Sequence, residues 1–193
     1  MNTYTKKVVD VVRAYKKAVD EHAAEKAKLA EKQNNGTIAA ADFLTKTAEN
    51  NGRLNQAIAD RVQRLQEIVE EYEQAYEQWA VVKGSDVTED MVVLTSGMQL
   101  DPSDYEKMEQ SYTGNYTMLK AIRSHAERNK VSYSASATID KERKQRALLE
   151  LIGVAKKTFA EGQGGFSVNN IAFEDDEQFM KWYATLDRLI ALG

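Results

Sequence analysis

Apolar positions in the first third of the chain recur at alternating spacings of four and three, the mark of a helix with one seamed face. Val8, Val12, Tyr15, Val19, His22, Lys26, Leu29 and Gln33 hold this phase, and Val9, Val11, Ala18, Ala23 and Ala30 broaden the stripe. The pattern predicts a long helix from residue 3, closed by Asn34, Asn35 and Gly36, residue types that tolerate the left-handed conformation at a helix end. A second seam, Leu44, Thr47, Asn51, Leu54, Ile58, Arg61, Leu65, Ile68, Tyr72, Ala75 and Trp79, predicts another long helix from about Thr37 to residue 83. Gly52 costs about 1 kcal/mol in a helix interior. The phase nevertheless persists across Asn50-Asn51-Gly52, which favours continuity over a kink.

So short a connection makes the two helices antiparallel neighbours. Facing residue numbers should then sum to about 70, pairing Tyr15 with Leu54, Val12 with Ile58 and Thr5 with Leu65. On that register the second helix outruns the first beyond Ile68. Its end, with Tyr72, Tyr76 and Trp79, requires cover from the carboxy-terminal half or from another chain, and self-association is the expectation that follows.

After Gly84 the elements shorten. Thr88 is the expected N-cap of one helical turn before Gly97, and Asp101 caps a second helix with Pro102, the only proline, at its first position. Asn115 opens a third helix striped by Met118, Leu119, Ile122 and Ala126. Residues 131–139 alternate with a period of two and read as an ordered linker without a partner strand. Thr138 or Asp140 starts a helix carrying Leu148, Leu149, Ile152, Ala155 and Phe159, ended by Gly162-Gln163-Gly164-Gly165. A last helix begins at Glu174-Asp175-Asp176 and presents Phe179, Trp182, Tyr183, Leu186, Leu189 and Ile190, with Phe166, Val168, Ile171 and Phe173 beneath it. The fold class is all-α. Residues 1–83 form a long, coiled-coil-like hairpin, and residues 84–193 form a compact helical domain on the end of its second helix.

Composition adds limits. At 193 residues, 42% hydrophobic and 29% charged, the chain can bury a core and lies away from the disorder signature. The absence of cysteine excludes disulfides and thiolate chemistry. No stretch reads as a secretory signal or a membrane span, so a cytoplasmic protein with no membrane partner is the expectation. The net charge of −4 is unevenly spread. From Leu65 to Glu109 there are 12 acids against Lys83 and Lys107, and from Gln110 to Arg146 eight bases against three acids. The two blocks either face each other or one of them steers a partner of opposite charge.

The search for chemistry returns little. His22 and His125 lie on different helices with no second ligand beside either, and His125, among Arg123, Glu127 and Arg128, reads as exposed. There is no nucleophile elbow, zinc-protease motif or phosphate loop. No catalytic, metal or cofactor residues are assigned, and the chain reads as a non-enzyme. The residues with a claim on a partner are Glu70, Glu73 and Glu77, which share a face at spacings of three and four, with Tyr76 beside them. Arg143, Lys144 and Arg146 form a basic cluster at a helix start and give a weaker case for nucleic-acid contact, which Asp140, Glu142 and a pI near 5.4 oppose.

The stretch LTSGMQLDPSDYEKMEQSYTGNYTMLKAIRSHAE, from Leu94 to Glu127, resembles segments of helical proteins encoded in phages and prophages of Gram-positive bacteria. The resemblance implies a virion-assembly, scaffold-like or accessory role, in the host cytoplasm, and carries no binding residues. The expected function is therefore protein–protein interaction or assembly. The alternative is a regulator that occupies a nucleic-acid-processing protein through the acidic face.

Overall fold

The protein is described by a computed structural model covering residues 1–135, 139–163 and 177–192, with side chains outside residues 160–182. It is all-helical among the described residues. In chain order the helices are α1 (Thr3–Asn34), α2 (Ala40–Trp79), α3 (Met91–Thr95), α4 (Pro102–Ser111), α5 (Tyr116–Arg128), α6 (Lys141–Gln163) and α7 (Glu177–Ile190), with a 3-10 turn at Gly84–Asp86 between α2 and α3.

Helix α1 starts where the Asn2 side chain accepts from the backbone N–H groups of Tyr4 and Thr5, satisfying two donors that the first turn leaves open. It stops at Gly36, whose φ of +68° reverses the chain. Helix α2 runs unbroken through Gly52. It is shorter than expected at both ends, beginning at Ala40 and closing at Trp79.

The longer turn changes the register. His22 Nε2 lies 3.0 Å from Asn51 Oδ1, the Lys7 ammonium pairs with Glu71, and the Tyr4 ring meets Tyr72 edge-on at 5.0 Å. Thr5 therefore lies near Tyr72 rather than Leu65, and α1 covers α2 one to two turns further than the sum of 70 implied. The seam also shifts by one residue in the distal part of α2. Asn50, not Asn51, is buried, donating to the His22 carbonyl at 3.0 Å, while Leu44 is 68% exposed.

Two buried clusters organise the molecule. The larger joins Val8, Val12 and Tyr15 of α1, Leu65, Ile68 and Tyr72 of α2, Leu148, Leu151 and Ala155 of α6, and Tyr183, Leu186 and Ile190 of α7. These four helices form an up-down-up-down bundle. α6 starts beside Glu77 and reaches Tyr15 with Phe159, and α7 ends where Ile190 accepts from the Tyr72 hydroxyl at 2.9 Å. The smaller cluster, Leu94, Tyr105, Met118, Ile122 and Ala126, belongs to α3–α5, inserted between α2 and α6. Buried contacts thus do not divide at residue 83, since α6 and α7 share a core with the hairpin.

Other expectations shift locally. Asp90 takes the N-cap of α3, and Thr88 Oγ1 meets the Tyr112 hydroxyl instead. Asp101 and Asp104 form a reciprocal capping box on α4, Asn115 caps α5, and the backbone N–H of Arg143 donates to Asp140 at the start of α6. Residues 131–135 are neither helix nor strand, and Val131 and Tyr133 pack on the smaller cluster. Helix α6 is described as far as Gln163, inside the expected stop at residues 162–165. The expected glycine turn at 164–165, the apolar run 166–173, the acidic helix start at 174–176 and part of the linker lie outside the described residues, as do the side chains of Phe179 and Trp182. No described helix is long and apolar enough to cross a membrane.

Candidate functional site

The partner-binding residues expected from sequence converge at the carboxy-terminal end of α2, where the chain's own elements take most of them up. Tyr76 is buried, its hydroxyl donating to the Ile139 carbonyl at 2.7 Å, and burial pushes its pKa up. Glu77 pairs with Lys141 and Glu73 accepts from Gln145 Nε2 at 3.1 Å, which fixes the start of α6 against α2. Glu70, the third acid, is exposed and makes no hydrogen bond or ion pair among the described residues. The acidic and basic blocks therefore meet in part within the chain, an arrangement repeated at Glu109 and Arg123.

Arg143 and Arg146 are exposed, but Lys144 is 2% exposed. Its Nζ donates to the carbonyls of Leu189 and Ala191 at the end of α7 and sits 4.9 Å from the centre of the Trp79 ring. A cation suits a helix C-terminus, where carbonyls lack intrahelical partners. Burial pulls its pKa down to about 8, with a smaller repulsion from Arg123. Lys144 joins three helices and is closed to a partner.

The overhang of α2 is covered in the same way. Trp79 meets the Tyr116 ring at 5.1 Å and donates from Nε1 to the Gly114 carbonyl, while Lys83 N–H donates to Thr117 Oγ1 at 2.9 Å. Of the two covers expected for this aromatic end, the carboxy-terminal half or another chain, the first is the one present.

Sequence reasoning missed a polar network in the smaller cluster. Glu109, fully buried, accepts from Arg123 Nε at 2.8 Å and from the Tyr133 hydroxyl at 2.7 Å. His125 is also buried, contrary to the exposed reading, with Nδ1 2.8 Å from the Tyr105 hydroxyl. The signal was present. His125 falls three residues after Ile122 and seven after Met118, on the apolar face, and Glu109 lies four after Tyr105. The network fastens residues 131–135 to α4 and α5, with Ser134 N–H donating to Glu106 as well. Among the described residues no three acidic or histidine side chains gather to hold a metal.

The hairpin itself is the feature left open. Between residues 20 and 50 only Leu29 and Asn50 are buried, so this half stands beyond the four-helix bundle as a two-helix arm. Along the side of the hairpin, between α1 and α2, run two adjoining grooves of about 400 and 440 Å³. Ala14 floors the basal one, Ala18 and Ala57 the distal one, and Arg61 separates them. The Arg61 Nη1 donates to the Ala57 carbonyl at 3.1 Å, whereas its Nε is buried without an acceptor. A comparison with protein-family models returns no match, and neither curated proteins nor solved structures give one.

Proposed function

We propose that this is a non-enzymatic interaction protein in which the four-helix bundle is a base and the distal hairpin is the contacting arm. The observation that carries the reading is the burial pattern: 31 residues, from 20 to 50, are held in helix and turn while burying two side chains. An exposed helical pair of this kind gains little from its own packing, so its use lies in the surface it presents. Its charges are mixed, with six acids and five bases from residue 20 to 53, which suits a protein surface better than a polyanion. The polar networks of the base support the same reading, because Lys144, Glu109 and His125 are each engaged by groups that hold the fold. The assembly or accessory role implied by the phage-like segment fits such a protein. The acidic-face alternative draws less support, since Glu73 and Glu77 are engaged by α6.

The test uses a photo-cross-linking residue placed singly at Lys28, Glu31, Arg146 or Glu150 in the native host. Adducts from the two arm positions, and none from the two on α6, are expected. Adducts confined to α6 would refute the arm as the contacting element.

A further inference from the structure

We infer that the partner seated along the hairpin grooves is a second copy of this chain, arranged about a two-fold axis parallel to the hairpin. This rests on the reading of the hairpin as an interaction element and names its occupant.

The two grooves adjoin and extend from Lys7 and Arg64 to Lys28 and Asn50. The 21-residue step along α1 spans roughly 32 Å at 1.5 Å per residue. Alanines along the floor let another helix pair approach closely. A contact of that length and two helices wide buries on the order of 600 Å² per copy, about 1,200 Å² in all, which reaches the range of specific interfaces.

Charge selects the occupant. The α1 wall carries Asp10, Glu21 and Glu25, with lysines only at its two ends, whereas the α2 wall carries Arg53, Arg61 and Arg64 with Asp60. Arg64 is already paired with Glu67 and Glu71, and Asp10 with Arg13, so the complementarity rests chiefly on Glu21 and Glu25 against Arg53. A single docking helix would meet an acidic wall on one side and a basic one on the other. A second copy about this axis places its α1 over α2 at the same height, acid wall on basic wall, twice over. The height follows from the contact of His22 with Asn51, which brings Glu21 level with Arg53. Asp10 and Arg64 line the basal groove together, so the partner's Asp10 comes level with Arg64. Glu21 and Arg53 are exposed, and among the described residues the one ion pair made by either is a 3.8 Å contact of Glu21 with Lys17.

Sedimentation of the full chain from 1 to 100 µM tests the pairing, with Glu21→Arg and Arg53→Glu examined singly and mixed. The wild type should dimerise in this range, each variant alone should weaken association at least tenfold, and mixing the two should restore it, because in the heterodimer a copy with two basic walls meets a copy with two acidic ones and both wall contacts are matched. A wild-type monomer throughout overturns the inference, as do variants without effect or a mixture that fails to recover. Should either reversal lose helical signal, Ala14→Cys mixed with Ala57→Cys replaces it. The native chain has no cysteine, so a disulfide between 14 and 57 of different copies supports the pairing and its absence opposes it. A monomer whose arm still cross-links to another protein would sink the self-pairing and leave the proposed function standing.

Discussion

Lys144 is the residue whose environment makes the sharpest physical claim. Its pKa falls from the ordinary 10.5 to about 8 in the fold, chiefly through burial. Between those values the unfolded chain binds more protons than the native one, so stability rises with pH across the window from 8 to 10.5 and is flat below it. The whole increment is at most about 3 kcal/mol. The buried tyrosines act in the opposite sense. Burial raises Tyr72 and Tyr133, and their contribution is lost as pH climbs above 10. Urea unfolding of the wild type should therefore show stability increasing from pH 8 to a maximum near 10, and Lys144→Met should abolish the rise. A wild-type profile that falls over this interval would show that the ammonium is not buried as described. Glu109→Ala is a second residue-scale test. It strips the buried partner from Arg123 and Tyr133, and a loss of about 3 kcal/mol is expected, with hydrogen exchange accelerating in α4, α5 and residues 131–135 first.

At the scale of elements, the central question is why a glycine sits unbroken in α2. A methyl added at Gly52 meets nothing within 4 Å, and the backbone there is helical. Gly52→Ala should raise stability by about 0.5–1 kcal/mol, read as a higher unfolding midpoint. A decrease would mean that α2 bends there. The helices themselves were legible because seam, cap and breaker agreed at most ends: Asn35-Gly36, Asp101-Pro102 and Asn115 each did what their chemistry dictates. The register was less so. It depends on the residues spent in the turn, and five in place of three moves the facing sum from 70 to about 73 where His22 meets Asn51; toward the base the helices slide further, to Tyr4 against Tyr72. Burial of Lys144, Glu109 and His125 was readable from phase, since each lies on its helix's apolar face. The partners could not be read, because the Leu189 and Ala191 carbonyls, Arg123 and Tyr105 reach them only through tertiary packing.

At the scale of the whole molecule, the α2 overhang proved to be an internal joint. Trp79, Tyr116, Lys141 and Lys144 lock α3–α5 and the start of α6 onto the bundle. The exposed element is instead the opposite end of the hairpin, the proposed point of contact. The most direct measurement removes residues 23–29 and 44–50 together, one heptad from each helix, and repeats the cross-linking at Glu31. If the arm is the contacting element, adducts disappear while the base keeps its cooperative unfolding transition. Undiminished adducts from the shortened, folded chain would contradict the account.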